Sequence, residues 1–344
     1  MLFTKDELTQ HIAKKKVRIH WQDDFDTDAT LTWYESKREM RVTGFYHNFP
    51  FRGAEYTGAL FVFNKMDDCD FDGFILNNDD DIEAYLNAFG MSPADTNSIV
   101  NHVPREAYEE TLIKDWLATI GNKFPESQII SSKAQTIYDR VSGIDGLIVN
   151  KRKISTDNLL IGWTEEEYKL FRSIEEELYL GTISAGFKSI DTFISFANSI
   201  LNRRKSRAGK SLEHHLEEIF QRCELAFTAQ AKTEGNKRPD FVFPSEAAYH
   251  DKNFPIEKLC TLAAKTTCKD RWRQILNEAN RFHGRTKYLC TLQQGISANQ
   301  MDEMAAEQVT LVVPKRYISA FPKEKQQDIW TLDHFVGYVK ELEQ

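Results

Sequence analysis

Over the first part of the chain, apolar and polar residues alternate in short runs. Residues 17–21, 29–34, 40–45 and 58–63 show the two-residue period of half-buried strands, with turn chemistry at Asp23-Asp24 and Phe49-Pro50. Two stretches of helical period follow, 81–89 stopped by Gly90 and 105–120 stopped by Gly121. Between Asp145 and Asn158 the periodicity breaks around Gly143, Gly146 and Lys151-Arg152-Lys153, which predicts a linker. Helices are then expected at 164–179, capped by Thr164, and at 190–202. A further helix is entered through Arg207-Ala208-Gly209, with Glu213 and Glu217 on one face. Apolar strands at 241–243, 262–264, 287–292 and 309–313, the last ended by Pro314, alternate with helices near 270–279, 299–307 and 332–342. This order predicts two domains: a mainly β domain over 1–150 and an α/β domain with a mixed sheet over 151–344.

The 344 residues suffice for two cores. No apolar run is long enough to span a bilayer, and Met1-Leu2-Phe3-Thr4-Lys5-Asp6 does not read as a signal peptide. The five cysteines are odd in number and form no CxxC pair, so they read as reduced thiols in a cytoplasmic protein with no membrane partner. Net charge is −8, which by itself argues against a polyanionic partner. Its distribution argues for one. Residues 201–290 hold 18 Lys+Arg against 11 Asp+Glu, a net +7, whereas residues 1–150 hold 15 against 25, a net −10.

The candidate chemistry lies in that basic segment. Asp240 opens one apolar strand and Lys265 closes the next. A helix beginning at Asp270 would stack Asp270, Gln274 and Glu278 on one face and leave Trp272, Ile275, Leu276 and Ala279 to dock on a sheet. If the two strands are neighbours, Asp240 and Lys265 meet at one sheet edge and Glu278 reaches them from the helix. Two carboxylates and an ammonium in one cleft suit metal-assisted phosphodiester hydrolysis. The same residues also fit a salt-bridged surface helix beside an ordinary strand, and spacing alone does not choose. The acidic runs 67–72 and 79–81 lack the glycine and terminal glutamate of a calcium loop and read as turns and a helix N-terminus.

Three segments carry a family resemblance: NRRKSRAGKSLE (202–213), TEGNKRPDFVFPSEAAYHD (233–251) and KTTCKDRWRQILNEA (265–279). They resemble, nearly unchanged, the catalytic domain of the EcoRII-like type II restriction endonucleases, a branch of the PD-(D/E)xK nuclease superfamily. Arg238-Pro239-Asp240 and Lys265 fit the superfamily core, but Ala263 stands where an acidic residue usually precedes the lysine by two places. In this branch the missing carboxylate comes from the following helix, where Glu278 sits. The resemblance therefore implies Asp240 and Glu278 as Mg²⁺ ligands and Lys265 as the residue that positions or activates water. It implies Glu213 as a further active-site carboxylate, with Glu217 as the alternative, and assigns Tyr249 no chemistry.

Lys269-Asp270-Arg271 falls where related enzymes read guanine and cytosine edges in the major groove, although a lysine lacks the bidentate fork of arginine. Charge balancing at a helix start is the other reading of this triplet. Arg203, Arg204 and Arg207, with Lys205 and Lys210, are expected at phosphates. In the first domain, residues 36–42 and 56–60 resemble the DNA-binding β pseudobarrel that precedes the nuclease in this family. That likeness implies DNA contacts by Arg38, Glu39 and Arg41, against a solvated basic loop as the alternative. The expected activity is double-strand cleavage of a short palindromic, CC/GG-flanked DNA site, CCWGG being the best single guess. A homodimer formed through the nuclease domain and regulation by an effector site would accompany it. The alternatives are a DNA-binding regulator on an inactive nuclease fold, which the Asp240, Lys265 and Glu278 set opposes, and a structure-specific repair nuclease, which the 269–271 triplet opposes.

Overall fold

The computed structural model describes residues 3, 11–37, 39–46, 49–89, 107–149, 152–235, 237–282, 284–292 and 295–344. By internal contacts the chain forms two compact units, the first ending at Ile82 among the described residues and the second beginning at Glu83.

In the first unit, β1 (Ile12–Trp21) and β2 (Phe25–Tyr34) form an antiparallel hairpin in register from Ile12 opposite Tyr34 to Trp21 opposite Phe25. β3 (Glu39–Thr43) extends it antiparallel beside β2. β4 (Leu60–Lys65) and β5 (Asp70–Leu76) complete a five-stranded sheet in the order β3-β2-β1-β5-β4, with β5 parallel to β1. The alternation in β1 decides its faces: Ala13, Val17, Ile19 and Trp21 are buried, while Lys14, Lys16 and Arg18 are exposed. Trp21 packs against Phe45, Phe49 and Phe61, the centre of an aromatic core. β5 corrects the reading of 67–72 as turns alone, because Asp70 and Asp72 alternate with Phe71 and Gly73, which face inward. Cys69, in the turn before β5, is exposed, and the other four cysteines are buried.

The second unit begins with helices. α1 (Asp79–Phe89) runs across the division, and α2 (Ala107–Ile120) and α3 (Ser127–Ser142) belong to the larger unit. Contacts therefore do not divide the chain near residue 150. The reason is apolar: Ile130, Ala134 and Ile137 of α3 pack against Leu170, Phe171 and Ile174 of α4 (Thr156–Ala185). Where a linker was expected, β6 (Ile144–Asp145), β7 (Ile148–Val149) and β8 (Arg152–Lys153) form a small antiparallel sheet. α4 starts eight residues before the expected cap; Thr164 lies inside it, its hydroxyl donating to the Leu160 carbonyl. α5 (Ile190–Arg222) is one 33-residue helix in place of the two expected, running through the basic stretch and Gly209 without a break.

The main sheet is mixed, as expected. Its order is β13 (Val309–Val312), β12 (Lys287–Thr291), β11 (Cys260–Lys265), β10 (Phe241–Phe243), β9 (Thr228–Ala229), with β9-β10-β11 antiparallel and β11-β12-β13 parallel. Leu212, Leu216, Ile219 and Phe220 of α5 are part of the core built on this sheet. α6 (Glu246–His250) and α7 (Ala298–Ala306) lie in the connections between strands, and α8 (Lys315–Ile318) and α9 (Leu332–Leu342) follow β13. Among the described residues no helix is long and apolar enough to cross a membrane.

Candidate active site

β10 and β11 are neighbours, with Phe241 opposite Leu262, so Asp240 and Lys265 meet at one edge. Asp240 is 5% exposed. Its Oδ2 accepts from the Ala264 N–H at 2.7 Å and from Lys265 Nζ at 2.9 Å. Burial alone would lower the Lys265 pKa, but Asp240, and then Glu278 and Glu213, hold it above the ordinary lysine value. The residue stays an ammonium at neutral pH.

Glu213, on α5, contributes a third carboxylate. Burial and then the Asp240 charge push it up to about 7, with Gln230 and Lys265 opposing. Gln230 Nε2 donates to Glu213 Oε2 at 2.7 Å and to Asp240 Oδ1 at 3.1 Å. Glu278 arrives differently from expectation. Residues Arg271–Asn277 form a 3₁₀ helix, in which side chains three apart lie in one row. Trp272 and Ile275 are buried in that row and Glu278 is next in it, so the face that packs inward also carries the carboxylate. The Thr233 hydroxyl donates to the Glu278 carbonyl at 2.7 Å. Burial raises the Glu278 pKa, Lys265 opposes and Asp240 adds to the rise. Tyr249 is a brace: its hydroxyl donates to Glu234 at 2.5 Å and accepts from the Arg281 N–H at 3.2 Å.

Three carboxylates thus act on one ammonium in a partly desolvated cleft, an excess of negative charge that a hard cation offsets. Among the described residues no three His, Cys, Asp or Glu side chains close around one point. A small divalent cation that keeps its waters needs only one or two carboxylates, so the donor set fits such an ion.

The expected DNA contacts are arranged less simply. Lys269 is only 4% exposed, and its carbonyl accepts from Gln300. Asp270 is exposed, whereas Arg271 Nη1 donates to Glu83 Oε1 at 2.7 Å, an oxygen that also accepts from the Thr267 hydroxyl at 3.0 Å. The three arginines expected at phosphates tie α5 to its neighbours. Arg203 lies over Phe124, 4.6 Å from the ring centroid, and donates to Tyr179 Oη. Arg204 grips Glu175 with two hydrogen bonds, at 2.7 and 2.6 Å. Arg207 is 4% exposed, lies over Tyr168 and Phe171, and pairs with Glu167 at 3.0 Å, so burial and a dedicated carboxylate correct its reading as a phosphate contact. Arg38 lies outside the described residues. Glu39 and Arg41 are on β3, where the Arg41 guanidinium lies over Tyr34. Gln230 and Glu83 were not anticipated: each is a single polar residue with no motif around it, significant only through a long-range contact.

A mixed sheet that joins Asp240 and Lys265, with carboxylates brought in from the flanking helical segments, defines a nuclease core of the restriction-endonuclease kind. Residues 171–336 match the family model described as the EcoRII C-terminal domain. The type II restriction enzyme EcoRII of Escherichia coli is 36% identical over 353 aligned positions, covering 96% of this chain and 81% of that protein. The type II restriction enzyme SsoII of Shigella sonnei is 28% identical over 117, covering 32% of this chain and 37% of that protein. The fold is shared with two solved structures of metal-depleted Ecl18kI, one with uncleaved, modified DNA and one with uncleaved DNA, both at a TM-score of 0.50. They are 20% and 19% identical and cover 68% and 73% of this chain and 83% and 85% of theirs. The chain belongs to the EcoRII family of type II restriction endonucleases and is a site-specific deoxyribonuclease. Restriction endonucleases are generally metal-dependent.

Proposed function

We propose that the protein cuts both strands of CCWGG, or a close CC/GG-flanked relative, with Mg²⁺ as cofactor, as a cytoplasmic homodimer. The observation that carries the reading is the division of Asp240: one oxygen is held by Lys265 and Ala264, the other accepts from Gln230, which also donates to Glu213. Asp240 and Glu278 would hold Mg²⁺ through oxygen, and the bound ion would polarise the phosphate and acidify a water. Lys265, kept charged by three carboxylates, acts as a hydrogen-bond donor and cation beside the phosphate and not as the base. Attack of the water on phosphorus, with loss of the 3′ oxygen, leaves 5′-phosphate and 3′-hydroxyl ends.

A palindromic site calls for two-fold symmetry. Exposed Leu180, Ile183, Ile190, Phe193, Ile194 and Leu201 on the α4–α5 hairpin support a contact with a second copy there. Arg271 reads a base edge once its pair with Glu83 opens, and the β-rich N-terminal domain, a pseudobarrel, binds an effector copy of the site through Arg38, Glu39 and Arg41. Digesting a sequenced plasmid with Mg²⁺ and mapping the ends tests the specificity. Asp240→Ala and Lys265→Ala should each lower cleavage by orders of magnitude while DNA binding in Ca²⁺ persists. Near-normal cutting by either variant would remove the assignment.

A further inference from the structure

Gln230 lies outside the PD…K pattern, yet it touches two of the three carboxylates. One nitrogen, Nε2, donates to Glu213 Oε2 at 2.7 Å and to Asp240 Oδ1 at 3.1 Å, so two acidic oxygens are gathered around a single point. The main chain of Gln230 is fixed to the same residue, its N–H donating to the Asp240 carbonyl at 2.8 Å. Its φ is +50°, a left-handed conformation that a side chain with Cβ adopts at some expense. Gln230 is also exposed, so core packing does not require it. A strained, exposed residue whose side chain and backbone both bind Asp240 is placed for what it holds.

The identity of the group matters. An arginine or lysine in this position would neutralise the carboxylates and compete with a divalent cation. The amide supplies hydrogen bonds without charge and leaves the negative potential intact. Ala264 and Lys265 hold the other oxygen of Asp240, so the carboxylate is oriented from both sides.

We propose that Gln230 is a positioning residue that holds Glu213 beside Asp240 and so fixes Asp240 in the orientation in which it receives the metal ion. The inference rests on the proposed metal role of Asp240. With the clamp gone, Glu213 and Asp240 repel and separate, and metal binding has to restore the Asp240 orientation at its own expense.

Mn²⁺ binding to the full-length protein without DNA, followed by electron paramagnetic resonance, is the direct test. Gln230→Met keeps the bulk and removes the donor; Gln230→Ala removes both. Each should weaken Mn²⁺ binding on the order of tenfold, the usual scale for a hydrogen bond to a charged group. Each should also raise the Mg²⁺ concentration for half-maximal cleavage by a similar factor while the rate at saturating Mg²⁺ stays near that of the wild type. Gln230→Met matching the wild type in both measurements, while Asp240→Asn loses Mn²⁺, would overturn the inference and leave the metal reading standing. Equal Mn²⁺ binding by wild type and Asp240→Asn would overturn both. Circular dichroism of each variant separates these results from loss of fold.

Discussion

Glu167 is fully buried between α3, α4 and α5. Ser131 donates to it at 2.6 Å, Arg207 pairs with it at 3.0 Å and His215 Nε2 lies 3.1 Å away. Burial alone would raise its pKa, but His215, Arg207 and Ser131 bring it down to about 2. A carboxyl depressed in the folded state stabilises the fold fully above its unfolded value near 4.5, and that contribution is lost as the pH falls towards about 2. Glu167→Gln should remove this acid limb from a plot of stability against pH. Arg207→Ala leaves a buried carboxylate short of a partner and should destabilise by about 3–5 kcal/mol in denaturant unfolding, with no change in the salt dependence of DNA binding. A flattened salt dependence at unchanged stability would instead restore Arg207 to the phosphate contacts. That Asp240 and Lys265 meet was legible because each bounds an apolar strand, whereas their chemistry could be named only from the resemblance. Arg207 misled because a run of cations looks the same whether it faces solvent or a buried glutamate.

Glycines within the long helices separate packing from propensity. A Cβ on Gly162 in α4 would fall 2.1 Å from Cζ of Tyr138, so the bare backbone lets α3 and α4 approach. Gly162→Ala should destabilise by about 1–3 kcal/mol, because the half-buried Tyr138 ring has to move off the core it packs against. Gly209 lies within α5 with nothing within 4 Å of such an atom. Gly209→Ala should therefore stabilise the protein by about 1 kcal/mol, the ordinary helical difference between the two residues. Parallel thermal melts would show opposite shifts; a loss at Gly209 would mean that the helix needs flexibility there. β10 to β13 were readable because fully buried strands are short unbroken apolar runs. α3 was not, since its apolar face gains meaning only against α4. The 3₁₀ segment escapes an α-helical period, because Trp272, Ile275 and Glu278 share a row at a spacing of three, not four.

For the molecule as a whole, the two-domain plan was legible from the change between periods of two and 3.6, but contacts divide the chain at Ile82 and not near residue 150. Residues 107–142 look like a continuation of what precedes them until their apolar faces are seen against α4. Regulation is tested at Glu83, which occupies the guanidinium proposed to read DNA. Glu83→Ala should raise cleavage of a single-site plasmid relative to a two-site plasmid, because Arg271 no longer has to leave a carboxylate first. An unchanged ratio would show that this pair does not gate cutting. The cysteines carry a practical consequence. Cys223, Cys260, Cys268 and Cys290 are enclosed, and burial raises the thiol pKa of Cys223, Cys260 and Cys290. Cys69 alone meets solvent, so the native protein offers a maleimide dye one point of attachment, on the β-rich unit, without any cysteine being engineered away.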